Sequence, residues 1–147
     1  MEVEPTNATA VGALASTMIY VGRPEEGLGL IKKAMRLNPY PPLYYFPTAV
    51  YASYLTGRYE AAIVEAKKFL THQRHGPMAG ILWQWAIAGF MELGREAEAR
   101  DEVRKLREQH PDISIDAYVK AIRKLPFKDH AFVDRQIELL RKAGLPD

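Results

Sequence analysis

The stretch Thr56-Gly57-Arg58-Tyr59-Glu60-Ala61-Ala62 combines a helix stop with a helix start. Glycine closes a helix C-terminus readily because it adopts the left-handed conformation without strain. An acidic residue soon after it complements the positive end of the next helix dipole. The same dipeptide recurs at Gly22-Arg23 and Gly94-Arg95, at spacings of 35 and 37 residues. The chain is therefore predicted to repeat a helix–turn–helix unit three times.

Proline residues recur with a similar period. Pro5 and Pro39 are 34 residues apart, and so are Pro77 and Pro111. A proline cannot continue the preceding helix and is tolerated at the start of the next one. Together the patterns predict helices near residues 7–21, 24–37, 43–56, 59–71, 78–93, 95–109, 114–124 and 130–143.

Residues around the three glycines resemble the tetratricopeptide repeat (TPR) family. Its consensus has a bulky and then a small residue in the first helix, glycine at the turn, an aromatic residue two positions later, and a small residue in the second helix. The matching residues are Val11, Leu14, Gly22, Gly27, Ala34 and Pro39 in the first unit, Phe46, Ala49, Gly57, Tyr59 and Ala62 in the second, and Trp83, Ala86, Gly94, Ala99 and Pro111 in the third. Pro24 and Glu96 depart from the pattern, since they replace the aromatic residue after the turn.

The TPR resemblance implies an all-α, right-handed helical solenoid in a single domain over residues 1–147. Its repeats would span 6–38, 43–74 and 78–111, followed by a capping helix pair over 113–144. The last helix has an apolar stripe that suits such a cap: Phe127, Phe132, Val133, Ile137 and Leu140.

The tail carries a second resemblance. Residues 125–129, with the stretches Gly22–Glu26 and Met35–Pro39, look like the C-terminal TPR region of bacterial class III adenylate/guanylate cyclases and related multidomain regulators. In that group the repeats often follow a catalytic or DNA-binding domain. Glu4-Pro5-Thr6-Asn7 resembles a repeat junction, so we expect this chain to be the C-terminal piece of a longer bacterial protein.

Composition argues against several classes of partner. The chain has 20 basic and 18 acidic residues, and a net charge of +2 is too small to indicate a nucleic-acid or membrane partner. It has no cysteine, which excludes disulfides and a thiolate nucleophile. The longest nearly apolar stretch, Ala8 to Val21, is too short to span a bilayer, and the acidic residues Glu2 and Glu4 are not typical of a signal peptide. The sequence therefore predicts a cytoplasmic location.

No set of residues indicates catalysis, a metal or a cofactor. His72 and His75 lie three residues apart, but no third ligand stands at a metal-binding spacing. Gly27-Leu28-Gly29 is not a phosphate loop, because it lies in an amphipathic helical pattern with no preceding strand. We therefore predict that the protein is not an enzyme.

In the TPR family, other positions of the first helices face a concave groove. Alignment on the glycines assigns to that groove Ser16, Ile19, Tyr20, Tyr44, Tyr51, Tyr54, Leu55, Gln84, Ala88 and Met91. Tyrosine and methionine are favoured at recognition surfaces. We expect another protein to dock a peptide or helix there, on Tyr20, Tyr44, Tyr51, Tyr54, Gln84 and Met91. Two alternatives stay open: the groove is open to a partner, or the terminal helices fold back and cover part of it.

A second class of function is self-association. The first helix is small and apolar, and an uncapped solenoid end exposes apolar surface that two copies can bury against each other. The chain would then form a homodimer through that end or through the groove. Binding of acidic chaperone tails is not expected, because Gly12 and Ser16 stand where TPR domains of that kind carry lysine and asparagine.

Overall fold

The computed structural model describes residues 7–147, and in that range the chain forms eight α-helices and no strand. The helices are α1 (Ala8–Tyr20), α2 (Pro24–Leu37), α3 (Tyr45–Leu55), α4 (Tyr59–His72), α5 (Pro77–Glu92), α6 (Glu96–Gln109), α7 (Ile115–Arg123) and α8 (Ala131–Lys142). The all-α prediction is confirmed, and each helix begins and ends within two residues of its predicted bounds. The acidic residues Glu2 and Glu4, and the first three residues of the junction predicted over Glu4-Pro5-Thr6-Asn7, lie outside the described residues.

The three Gly-Arg pairs form the same turn. Gly22, Gly57 and Gly94 have φ angles of 90°, 78° and 73°, in the left-handed region that favours glycine. Each following arginine donates its backbone N–H to the carbonyl five residues earlier, in the bonds Arg23–Met18 (2.8 Å), Arg58–Ser53 (2.7 Å) and Arg95–Phe90 (2.9 Å). This is the Schellman closure of a helix C-terminus, so the repeated dipeptide reports a repeated backbone geometry.

The arginines of these turns also link neighbouring repeats. Arg58 pairs with Glu25 at 3.0 Å, and Arg95 pairs with Glu60 one repeat later. In both pairs the glutamate lies in the first turn of the preceding second helix. The side chains are exposed, so each pair contributes only about 0–1 kcal/mol to stability. Arg23, the arginine of the first turn, pairs instead with Glu26 of the following helix, α2.

Close packing of α1 and α2 occurs at Gly27. A Cβ atom there would lie 2.5 Å from Cγ1 of Ile19 and 3.0 Å from the carbonyl oxygen of Ala15. Gly29, in the same helix, is exposed, and a Cβ atom built on it meets no described atom within 4 Å. The close packing of α1 and α2 therefore requires glycine at position 27, whereas it leaves room for a side chain at position 29.

Substitution of these two glycines should have opposite effects. We expect Gly27→Ala to lower the free energy of unfolding by about 1–3 kcal/mol, since the added methyl group forces α1 and α2 apart. Gly29→Ala is the matched control and should raise it by about 0.5–1 kcal/mol through helix propensity. Urea denaturation followed by circular dichroism measures both. Equal effects of the two substitutions would contradict the close approach of the helices.

The regular stack of repeats ends at α6. The sixth and thirteenth residues after each turn glycine are Leu28 and Met35, then Ile63 and Leu70, then Arg100 and Arg107. The four apolar side chains are at least partly buried, in helices that pack against the next repeat, whereas both arginines are exposed. A guanidinium buried in an apolar helix interface without a partner would be costly. Accordingly α7 packs against α5 and α8, and a cleft of about 590 Å³ lies beside α6.

Helix length and polarity also bear on membranes. None of the helices within residues 7–147 is long and apolar enough to cross a bilayer. The longest of them, α5, has 16 residues. Its apolar character is instead explained by burial inside the protein.

Candidate partner-binding groove

The first helices of the three repeats, α1, α3 and α5, form one surface of the solenoid. Nine of the eleven residues of α3 and twelve of the sixteen residues of α5 are buried. A helix that is apolar all round must be covered on more than one face. The second helices, α4 and α6, cover one face of α3 and α5. The other face, which we call the groove, is covered by the C-terminal part of the chain.

Residues 125–136, the groove segment, fill this groove. The segment consists of an irregular stretch followed by the first half of α8. The ring of Phe127 lies 4.9 Å from that of Tyr20, 5.4 Å from that of Tyr51 and 6.2 Å from that of Trp85, measured between centroids. Each of these three aromatic residues comes from a different first helix. Together they form a site for one ring, which we call the aromatic pocket.

Polar contacts also hold the groove segment to two first helices. The backbone N–H of Lys128 donates to the carbonyl oxygen of Tyr20 at 2.7 Å. Tyr20 is the last residue of α1, where carbonyl groups have no partner within the helix. At the other end of the groove, Nε of Arg135 in α8 donates to Glu92 in α5 at 2.8 Å. The segment is thus anchored at α1 and at α5.

A buried polar cluster lies where α8 meets the groove. Gln136 is fully buried, and its Oε1 accepts a hydrogen bond from the hydroxyl of Tyr118 in α7. Burial raises the pKa of Tyr54 in α3, and the neighbouring amide of Gln136 opposes part of that rise. The cluster therefore joins α3, α7 and α8. Nε2 of Gln136 has no acceptor among the described residues, but the hydrogen bond from Tyr118 to Oε1 favours this register of α8 in the groove.

Burial of these tyrosines predicts a fall in stability at alkaline pH. Burial raises the pKa of Tyr51, Tyr54 and Tyr118, so all three stay neutral in the folded protein after the unfolded chain begins to ionise near pH 10. The unfolded state then binds fewer protons, and stability decreases as pH rises above about 10, by up to about 1.4 kcal/mol per pH unit for each tyrosine. Below that pH these groups contribute no pH dependence.

Urea unfolding between about pH 8 and about pH 11 measures this effect. Comparison of the wild type with Tyr54→Phe isolates the tyrosine contribution, because the lysines titrate equally in both proteins. We expect the variant to lose less stability at high pH. Parallel pH profiles for the two proteins would mean that the hydroxyl of Tyr54 is exposed in solution.

The six residues predicted to bind a partner are not together on an open surface. Tyr51, Tyr54 and Gln84 are only 2%, 6% and 1% exposed, Tyr20 and Met91 are partly buried, and Tyr44 is 49% exposed. Of the two alternatives that the sequence left open, the covered groove is the one found in this structure. A partner could reach Tyr51 and Tyr54 only after the groove segment leaves, whereas Gln84 lies beside α7.

Four further residues of the groove were not singled out from the sequence as partner-binding residues: Trp85, Phe127, Phe132 and Gln136. Trp85 is fully buried, with its ring 5.3 Å from that of Phe132. One signal was present, because the apolar residues of α5 occupy every face of the helix and so require a second covering layer. Nothing local in the sequence showed that residues 125–136 supply it.

His75 and His110 lie apart from the aromatic pocket, whereas His130 belongs to the groove segment, with its ring 6.0 Å from that of Phe127. The rings of His75 and His110 are 6.2 Å apart, and Nε2 of His110 lies 3.0 Å from the carbonyl oxygen of Arg74. In the part of the chain that the structure describes, no group of three or more histidine, cysteine, aspartate or glutamate residues is placed to hold a metal ion.

Comparison with solved structures identifies a similar fold. The crystal structure of MamA, a TPR-type helical protein, matches with a TM-score of 0.66 over 95% of this chain and 78% of the MamA chain. The fold is a TPR-type solenoid. Sequence identity is 16%, so the match establishes the fold alone. No protein-family model and no curated protein sequence matches the chain.

Proposed function

We propose that the protein is a protein–protein interaction module that docks a peptide or helix of another protein in its groove. The observation that supports this proposal is the groove segment itself, an irregular stretch and a helix held by side-chain and backbone contacts. A groove that fits such a segment of its own chain has the shape and chemistry to bind one from a partner. The TPR-type fold is consistent with this role, since repeat solenoids offer extended binding surfaces.

The groove residues have distinct roles in this proposal. Tyr20 and Tyr51 hold a side chain in the aromatic pocket, and Tyr54 forms a hydrogen bond through its hydroxyl. Tyr44, Gln84 and Met91 extend the contact along the first helices. The groove segment competes with the partner, so the apparent affinity is reduced by the fraction of molecules in which the groove is open.

The proposal places the module in a larger bacterial signalling protein of the cytoplasm, as a regulatory region without enzymatic activity. Its basis is the resemblance of residues 125–129 and of the Gly22–Glu26 stretch to the TPR regions of cyclases and related regulators. Immunoblotting of source cells tests this setting. A band well above 16.6 kDa is expected, and a band at 16.6 kDa would contradict it.

A labelled peptide tests whether the groove binds in trans. The peptide comprises residues 122–143, and the receptor is the full chain carrying Phe127→Ala, which weakens its own groove segment. Fluorescence anisotropy should show binding to this variant about tenfold tighter than to the wild type, since less of the groove is occupied. Circular dichroism confirms that the variant is folded. Equal affinities for the two proteins, or no binding to the folded variant, would contradict docking in the groove.

Self-association is a second candidate, supported by the first helix. Ala13 and Thr17 of α1 are exposed, as is Val21 directly after it, whose side chain is 44% accessible. Two copies that paired through this face would bury that apolar surface. Light scattering on serial dilution decides the matter. A mass that falls from dimer to monomer supports it, whereas a constant monomer mass contradicts it.

A further inference from the structure

We infer that the groove recognises an aromatic side chain of its partner protein, in the position that Phe127 occupies here. This inference rests on the proposed function and adds the chemistry of the ligand. The partner presents an aromatic residue in an irregular stretch, followed by a residue with a free backbone N–H. The first helix of every repeat contributes one wall of the site, so recognition depends on the whole solenoid.

The geometry of the aromatic pocket favours a flat ring. The ring of Phe127 meets Tyr20 and Tyr51 edge to face, at interplanar angles of 77° and 72°, and is stacked on Trp85 at 22°. These are the arrangements in which aromatic quadrupoles attract each other beyond the effect of buried area. An aliphatic side chain would fill the volume without that attraction. The pocket therefore favours an aromatic side chain over an aliphatic one of similar size.

The backbone contact next to the pocket fixes how the ring enters. Lys128 donates its backbone N–H to the carbonyl of Tyr20 at 2.7 Å, whereas its side chain is exposed. The groove therefore binds the main chain of this residue and does not select for its side chain. Any residue except proline can follow the aromatic residue, because proline has no N–H to donate.

The closed state leaves a buried donor of the groove segment unmet. Nε2 of Gln136 is buried and donates no hydrogen bond to the described residues. A buried donor without a partner is destabilising. The chain's own segment is therefore an imperfect occupant of the groove. A partner that keeps the aromatic anchor and leaves no buried polar group unpaired has an advantage over it.

A partner of different sequence is favoured over a second copy of this chain. A second copy brings the same groove segment and so makes the same contacts. It must compete with a segment that is already tethered beside the groove at high effective concentration. Only a segment with better contacts can displace the tethered one at ordinary concentrations. We therefore assign the pocket to another protein.

A panel of labelled peptides tests the anchor. All comprise residues 122–143 and carry phenylalanine, tryptophan, leucine or alanine at position 127, and a control peptide carries Lys124→Ala, at an exposed position. The receptor is the full chain with Phe127→Ala, or with Phe127→Leu if the first variant fails to fold. We expect the alanine peptide to bind about tenfold more weakly than the phenylalanine and tryptophan peptides, with leucine between them. The control peptide should match the phenylalanine peptide.

A receptor variant locates the anchor in the pocket. Tyr20 is only partly buried, so Tyr20→Ala in the same receptor should leave the helices intact and remove most of the preference for phenylalanine over alanine. Equal affinities across the panel would overturn the aromatic anchor and leave docking in the groove standing. Failure of every peptide to bind a folded receptor would overturn both. A wild-type dimer in light scattering that disappears with Phe127→Ala would make a second copy the occupant and overturn the assignment to another protein.

Discussion

Trp85→Ala is expected to lower the free energy of unfolding by about 3–5 kcal/mol. Trp85 is fully buried, and its ring lies within 5.0 Å of those of Tyr51 and Tyr54 on α3. On its other side it meets Phe127 and Phe132 of the groove segment. The truncation leaves a cavity that four neighbours, two from α3 and two from the groove segment, cannot all collapse to fill. Urea denaturation followed by circular dichroism measures the loss.

An exposed aromatic residue provides the control for this prediction. The side chain of Tyr40 is 89% exposed, so Tyr40→Ala should change stability by no more than about 0.5 kcal/mol. The milder Trp85→Phe should fall between the two. If Trp85→Ala cost as little as Tyr40→Ala, α5 would be exposed in solution and the groove would be open.

Phe127→Ala is expected to have an effect of similar size, about 3–5 kcal/mol, for a different reason. Phe127 is 5% exposed and connects the groove segment to all three first helices. Loss of its ring empties the aromatic pocket and weakens the contacts that keep α8 in the groove. A domain with a typical stability of about 5–15 kcal/mol would stay folded while its groove opens more often.

Two measurements separate this effect from general unfolding. Urea denaturation gives the loss of stability, and hydrogen exchange should show faster opening of α8 and of the groove side of α3 and α5 than of α2 and α4. Lys128→Ala is the matched control, because the lysine side chain is exposed and its backbone N–H is retained. Uniformly faster exchange in all helices would mean that the segment is inseparable from the core.

The helices could be predicted from the sequence because their limits are set by local chemistry. Each Gly-Arg pair closes a helix through its own backbone, whatever the rest of the chain does. Pro24 and Pro77 each stand at the first position of a helix, where their missing N–H costs nothing. Such signals are readable without knowledge of the tertiary structure.

The covering of the groove could not be predicted in the same way. Whether residues 125–136 extend the stack beyond α6 or fold into the groove depends on a competition between two distant surfaces. The exposed Arg100 and Arg107 disfavour extension of the stack beyond α6, and the apolar faces of α3 and α5 favour folding into the groove. Alignment with the TPR family locates the face that carries Tyr51 and Tyr54. It does not indicate what lies on that face, because the family pattern describes single repeats.

A covalent clamp on the groove segment tests whether a partner binds where this segment lies. The chain has no cysteine, so two cysteines can be introduced at the ion pair of Glu92 and Arg135, which joins α5 to α8, and linked by a short bismaleimide. The control pair replaces Glu25 and Arg58, a similar ion pair that joins α2 to the start of α4. Both are made in the Phe127→Ala chain. The measurement is the affinity for the phenylalanine peptide of residues 122–143. We predict that the clamp on α8 weakens binding by about tenfold or more and that the control clamp does not. Equal affinity for the two clamped proteins would contradict it, because the peptide would then bind outside the groove.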